Sequence, residues 1–228
     1  MTTFALVHGA YHGRHCWDLL VRELTVRGHV GIAMDLPCED SEAGFEEYAA
    51  AVVDALDGVG PDLVVVGHSM GGLTIPLIAS RIPVKRLVFV AAFVSDPGKT
   101  LVDALASVPD AINPAMASAG VDNGDGTTSM PGAAARELFY EDCPDDITDW
   151  AVGLLRRQGS KVATEALRLD AYPPVPMTYI ACQDDRTFTI QFQRTLAKNH
   201  GMDLVELPGG HSPFLSCPSD LADILTSL

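Results

Sequence analysis

The sequence predicts an α/β fold, a parallel sheet covered by helices on both faces and broken by one long insertion. Three observations carry that expectation. Short apolar runs alternate with helix-like stretches along most of the chain, as strand–helix–strand units require. The runs are continuous and rich in Val, Ile and Leu, which suits strands buried on both faces of a parallel sheet. The alternation stops near Ser95 and resumes only at Met177.

Taken in order, strand candidates cover residues 4–7, 30–34, 63–66, 87–91, 177–181 and 204–207. Helix candidates between and after them cover 16–27, 45–56, 70–81, 190–200 and 219–228. The insertion holds Pro97, Pro109 and Pro114, a polar Asp122-Asn-Gly-Asp-Gly126 cluster and a helical pattern over 147–155. A segment this long between two core strands is usually a functional lid. It is read as a cap, about 96–175, over the carboxyl edge of a core formed by 1–95 and 176–228, all in one domain of 228 residues. The Asn-Gly-Asp-Gly cluster lacks the alternate acidic spacing and closing glutamate of a calcium loop, so it reads as a hairpin turn.

Composition narrows the function classes. A formal net charge of −15 disfavours nucleic acid and anionic membranes, both of which need a basic surface. Five scattered cysteines without a CxxC pair read as reduced thiols rather than a disulfide frame or zinc site. The first strand candidate begins at Phe4, leaving no room for a signal peptide, and no apolar run approaches the ~18 residues of a membrane span. A cytoplasmic protein is the expectation.

The chemistry centres on "VVVGHSMGGLTIP", Val64 to Pro76. Gly67-His68-Ser69-Met70-Gly71 is G-x-S-x-G between a strand and a helix, the pattern that exposes a nucleophilic serine on a sharp, strained turn. Gly67 and Gly71 remove side chains that would clash there, and Gly72 lets the helix approach the sheet. Pro76, inside that helix, has no explanation at this level. A serine needs a base and an orienting acid, which follow it in the order Ser, acid, His on this turn. Gln183-Asp184-Asp185 follows the fifth strand candidate and Gly209-Gly210-His211-Ser212 the sixth, so both reach the sheet edge that holds Ser69. Asp184 and Asp185 cannot both hold the imidazole. Val7-His8-Gly9-Ala10-Tyr11 ends the first strand candidate, so backbone amides of Ala10 and Met70 are the expected oxyanion donors. His8, His12 and His15 lack the spacing of a metal site, and His8 is expected to brace its loop. His68 is expected to pack rather than react.

With these pieces placed, the chain resembles α/β-hydrolases of the esterase and hydroxynitrile-lyase branch, which includes plant methylesterases. The resemblance rests on "LVHGAYHGRHCW", "GHSMGG", "ELFYEDCPDD", "QDDRTFTIQFQ" and "GGHSPFLSCP". It implies a six-stranded core sheet, a cap after the fourth of those strands, and neither metal nor organic cofactor. By position it makes Ser69 the nucleophile, His211 the base and Asp185 the acid, with Ala10 and Met70 on the oxyanion. Asp96 is the fallback acid, since some hydrolases of this fold take it from the earlier strand end. Hydroxynitrile lyases of this branch carry threonine and lysine where this chain has Gly9 and Ser212, so the resemblance favours ester cleavage, with Gly9 leaving space for substrate beside the oxyanion hole. Phe139, Tyr140 and Trp150 either line an apolar acyl pocket or pack the cap core. The partners expected are a small-molecule ester and, at most, a second copy of the chain in a homodimer. The competing readings are a hydroxynitrile lyase or cofactor-free C–C bond hydrolase on the same triad, and a non-catalytic ligand-binding relative.

Overall fold

A computed structural model describes every residue of the chain except 107, 109 and 110; Pro109 of the cap lies outside the described residues. Six parallel strands form the main sheet in the order β2-β1-β3-β4-β8-β9: β1 (Thr3–Val7), β2 (Val30–Ala33), β3 (Leu63–His68), β4 (Arg86–Val90), β8 (Met177–Cys182) and β9 (Asp203–Leu207). These are the six runs read from the sequence, within a residue or two at each end. In the four inner strands, successive side chains enter cores on opposite faces. Val65 and Phe89 meet helices α2 (Phe45–Ala55), α3 (Gly71–Ala79) and α9 (Ile190–Asn199), while Val66 and Val88 meet α1 (Asp18–Val26) and the C-terminal helix α10 (Pro218–Ser227). That two-sided burial is why the runs carry no polar alternation.

The edge strands depart from the expectation of burial on both faces. β2 is half-buried to exposed throughout, and β9 is exposed at Asp203 and Leu204. Each lacks a neighbour on one side, and Glu206 of β9 pairs instead with Arg194 of α9. Pro76 sits inside α3, which nevertheless runs on to Ala79.

Between β4 and β8 the chain forms short helices α4 (Leu101–Ala106), α5 (Pro114–Ala117), α6 (Gly132–Leu138), α7 (Asp145–Gly153) and α8 (Lys161–Thr164). They accompany an antiparallel sheet of β5 (Val121–Asp122), β6 (Thr127–Ser129) and β7 (Gln158–Gly159). The Asn-Gly-Asp-Gly cluster is the β5–β6 hairpin turn, with Gly124 and Gly126 at φ 77° and 81°. Its carboxylates are taken up by the turn: Asp122 accepts from the Gly124 amide and Asp125 from Thr127. Among the described residues no helix is long and apolar enough to cross a membrane.

Parallel strands point all their carboxyl ends one way. The loops after β1, β3, β8 and β9 therefore share one edge, and β1 and β3 flank the point where the strand order reverses, the place where open α/β sheets hold ligands.

Candidate active site

Ser69 follows directly on β3 and sits at φ 50°, a left-handed conformation that L-residues adopt only at a cost of about 1–3 kcal/mol. The surroundings hold it there. Its amide donates to Val90 O (3.2 Å), and its carbonyl accepts from Gly72 and Phe93 (3.1 and 3.0 Å). The glycines are explained by close approach. A Cβ on Gly71 would come within 2.7 Å of the Val7 and His8 carbonyls, and one on Gly72 within 2.3 Å of Phe93 O. The helix can pass behind Ser69 only without side chains at these positions.

The two adjacent aspartates separate cleanly. Asp185 has a fully buried side chain, and its Oδ2 lies 3.0 Å from His211 Nδ1. Its Oδ1 accepts from the amides of Thr187 and Phe188 (2.7 and 3.0 Å), and Gln193 Nε2 donates to Oδ2 (3.3 Å). Asp184 is exposed. Asp96 is exposed too and lies beside His200 (3.9 Å). An ionised carboxylate only accepts, so His211 Nδ1 carries the ring proton and Nε2 is the basic nitrogen.

Gln193 gives the buried face of α9 its polar residue. It accepts from the Cys182 amide (3.0 Å) and donates to the carbonyls of Cys182 and Phe188 (3.1 and 3.3 Å) as well as to Asp185. Gln193 is thus a clamp on the Asp185 loop. A glutamine on the apolar face of an amphipathic helix was the available signal, because a buried amide has to find partners.

The three histidines of the first loop go to separate tasks. Leu36 N–H donates to His8 Nε2 (3.0 Å), which leaves Nδ1–H to donate to Gly9 O (2.8 Å). His12 Nδ1–H donates to Ala10 O (2.7 Å), so its bare Nε2 accepts from Tyr140 OH (2.8 Å). Burial pushes His8 down to about 4 and His12 to about 3, so both rings are neutral near pH 7 and serve as braces. His15 is half-buried against Trp150. His68, fully buried, donates from Nε2 to His211 O (2.9 Å).

Ser69, His211, Ala10 and Met70 meet in the wall of one cavity of about 340 Å³. The amides of Ala10 and Met70 are not engaged by any described residue. Apolar side chains from both core and cap, among them Phe93, Leu101, Ile112, Phe139 and Phe188, complete the wall. Gly9, Tyr140 and Trp150 are not part of it. A Cβ on Gly9 would lie 2.8 Å from Ser69 Cβ, so this glycine makes room for the Ser69 turn rather than for a ligand. Tyr140 is buried on His12, and Trp150 is 37% exposed and packs against His15.

The cap segment Tyr140-Glu141-Asp142 reaches three site loops in succession. Tyr140 bonds His12, Glu141 pairs with Arg186 next to Asp185, and Asp142 Oδ2 accepts from the Gly210 amide (2.6 Å) just before His211. Each of these contacts joins residues far apart in the chain, so the local pattern of the segment does not name its partners.

A strained serine at a strand–helix turn, an aspartate-bound histidine and unengaged amides lie along one edge of a doubly covered parallel sheet. The profile of the alpha/beta hydrolase family matches residues 4–224, and the chain belongs to that family. It is 30% identical to the probable esterase PIR7A of Oryza sativa subsp. indica, over 97% of this chain and 94% of that one. It is also 29% identical to an alpha-hydroxynitrile lyase of Arabidopsis thaliana, over 99% of this chain and 96% of that one. Among solved structures, a pyrethroid hydrolase from Sphingobium faniae JZ-2 superposes with a TM-score of 0.87 at 24% identity, covering 99% of this chain and 96% of that one; likeness at that identity speaks to the fold.

Proposed function

We propose that this chain is a serine esterase that cleaves small carboxylic esters through an acyl-enzyme. Ser69 Oγ attacks the ester carbonyl while His211 Nε2 takes its proton, and Asp185 holds the imidazole tautomer and stabilises the imidazolium. The Ala10 and Met70 amides receive the developing oxyanion. His211 then protonates the leaving alcohol and activates the water that frees the acid. No cofactor enters any step.

The observation that carries this reading is the meeting of Ser69, His211 and the two unengaged amides in one apolar cavity. The relative named as a hydroxynitrile lyase keeps a lyase reading in competition, but expelling cyanide calls for a positive charge beside the leaving group. Among the described residues the cavity wall holds neither lysine nor arginine, and Ser212, where the resemblance places the lyase lysine, is fully buried.

The test is a series of p-nitrophenyl esters of increasing acyl length, with a fluorophosphonate probe and with mandelonitrile alongside. Short esters should be cleaved, the probe should label Ser69 alone, and Ser69→Ala should lose both labelling and turnover, leaving roughly 10³–10⁴-fold over water. Undiminished turnover in Ser69→Ala, or cyanide release faster than ester cleavage, overturns the proposal.

A further inference from the structure

We propose that Tyr11 is a positioning residue through which the insertion between β4 and β8 holds the Ala10 amide in place as an oxyanion donor. The proposal rests on the ester-hydrolase reading above and adds a residue to it. Tyr11 directly follows Ala10 and, like Ser69, has a left-handed backbone, at φ 64°. Among the described non-glycine residues only Ala91 shares that feature. A tyrosine keeps such a conformation only where its surroundings impose it.

The contacts that impose it come from the insertion. Arg156 N–H donates to Tyr11 O (2.8 Å). Thr128 Oγ1 lies 3.3 Å from Gln158 O. That carbonyl can only accept, so Thr128 gives its proton there and Tyr11 O–H donates to Thr128 Oγ1 (3.0 Å). The buried Tyr11 ring stacks on Phe139 with 6.5 Å between centroids. Thr128, Phe139 and Arg156 all lie between β4 and β8, and the Arg156 guanidinium is anchored in turn on Asp35 and the Leu36 carbonyl. The preceding carbonyls, of Gly9 and Ala10, are held instead by His8 and His12 of the loop itself (2.8 and 2.7 Å).

The anchoring reaches Ala10 through one bond rotation. The Ala10–Tyr11 peptide is a rigid plane, and φ of Tyr11 sets its direction relative to the rest of that residue. With the carbonyl and side chain of Tyr11 fixed on the insertion, relaxation to negative φ would swing the plane, and Ala10 with it. The Ala10 amide is not engaged by any described residue, so no bond of its own keeps it aimed. A displaced donor stabilises the developing oxyanion less, and such a loss falls on kcat rather than on ground-state binding.

The experiment compares the wild type with Tyr11→Ala and Tyr11→Gly on a short p-nitrophenyl ester. Both variants lose the ring and the hydroxyl, but glycine adopts positive φ without strain and alanine does not. Tyr11→Ala should lose about 10–100-fold in kcat. Tyr11→Gly should stand about fivefold or more above it, with KM alike in the two variants. Equal kcat in the two, the result expected of a residue that merely fills the wall, overturns the proposal, as does glycine falling below alanine. A milder pair decides the matter if those variants do not fold. Tyr11→Phe and Thr128→Val remove the same hydrogen bond, so each should lower kcat severalfold at constant KM, and the double variant should fall no further than either. Additive losses, or none, overturn the proposal. Amide NMR of Ala10 separates this proposal from the esterase reading. A signal that is sharp in the wild type and exchange-broadened in Thr128→Val, in a chain that cleaves no ester, would keep the positioning role and remove the esterase reading. Ester turnover with kcat and the Ala10 signal unchanged in Thr128→Val would do the reverse.

Discussion

His68 Nε2 donates to the backbone carbonyl of His211 at 2.9 Å, with the two rings 4.7 Å apart between centroids. The residue that ends β3, one before Ser69, therefore holds the His211 loop in register with Ser69. His68→Leu should lower kcat by about 10–100-fold, because small misplacement of a reacting group costs that much, with little change in KM. His68→Gln, whose amide can still donate, should lose less. Steady-state kinetics of the two variants check this, and equal loss in both would remove the positioning role.

The acid is separated from its neighbour by replacement with amides. Asp185→Asn keeps the shape and removes the charge that faces His211, so kcat should fall roughly 10²–10⁴-fold. Asp184→Asn changes an exposed side chain and should stay within roughly tenfold. The reverse ranking would mean that the loop pairs with His211 through the other carboxylate.

Gly9 is a position of close approach. A Cβ there would meet Ser69 Cβ at 2.8 Å and His68 Nδ1 at 3.0 Å, and neither neighbour is the free end of a flexible chain. Gly9→Thr should displace the elbow and lower ester cleavage by about 10²-fold or more, on the same misplacement argument. Gly9→Ala should show the milder form of the same loss. Measuring both against melting temperature separates a displaced nucleophile from general destabilisation.

Stability should fall with acid before the carboxylates titrate. His8, His12 and His68 are buried neutral, with His8 lowered to about 4, His12 to about 3 and His68 well below its usual range, each chiefly by desolvation. The unfolded chain takes up protons at these rings near pH 6.5 while the folded chain does not. Their contribution is complete above that pH and is lost as pH falls through the folded values. Between pH 6 and 5, unfolding free energy should drop by up to about 1.4 kcal/mol per pH unit for each ring. Urea midpoints at pH 7, 6 and 5 measure it, and a flat profile would contradict neutral burial.

Much of the fold and of the placement of Ser69, His211, Ala10 and Met70 was legible along the chain because their signals are local. An apolar run such as 63–66 declares a buried strand, and Gly67, Gly71 and Gly72 around Ser69 declare a turn that leaves no room for side chains. Ser69, the Asp184-Asp185 pair and His211 each follow a strand, so a parallel sheet must deliver them to one edge. Ala10 and Met70 were placed by the same logic.

What the chain order could not carry was the set of contacts made by distant segments. Tyr140 and Trp150 both read as apolar cap residues, yet one is buried on His12 and the other faces outward, a difference set only by how α7 and its preceding loop dock. Glu141 and Asp142 meet Arg186 and Gly210, and nothing in their local pattern names those partners. Gln158 of β7 is buried beside the cavity of Ser69 only because the small antiparallel sheet forms. By itself the sequence determined the parallel sheet, the strained serine turn and the order of the reactive groups, since periodicity and steric limits act between near neighbours. Only the tertiary structure decided what lines the cavity and which buried groups remain unpaired, because burial and hydrogen-bond partnership depend on surfaces that meet only when the chain is folded.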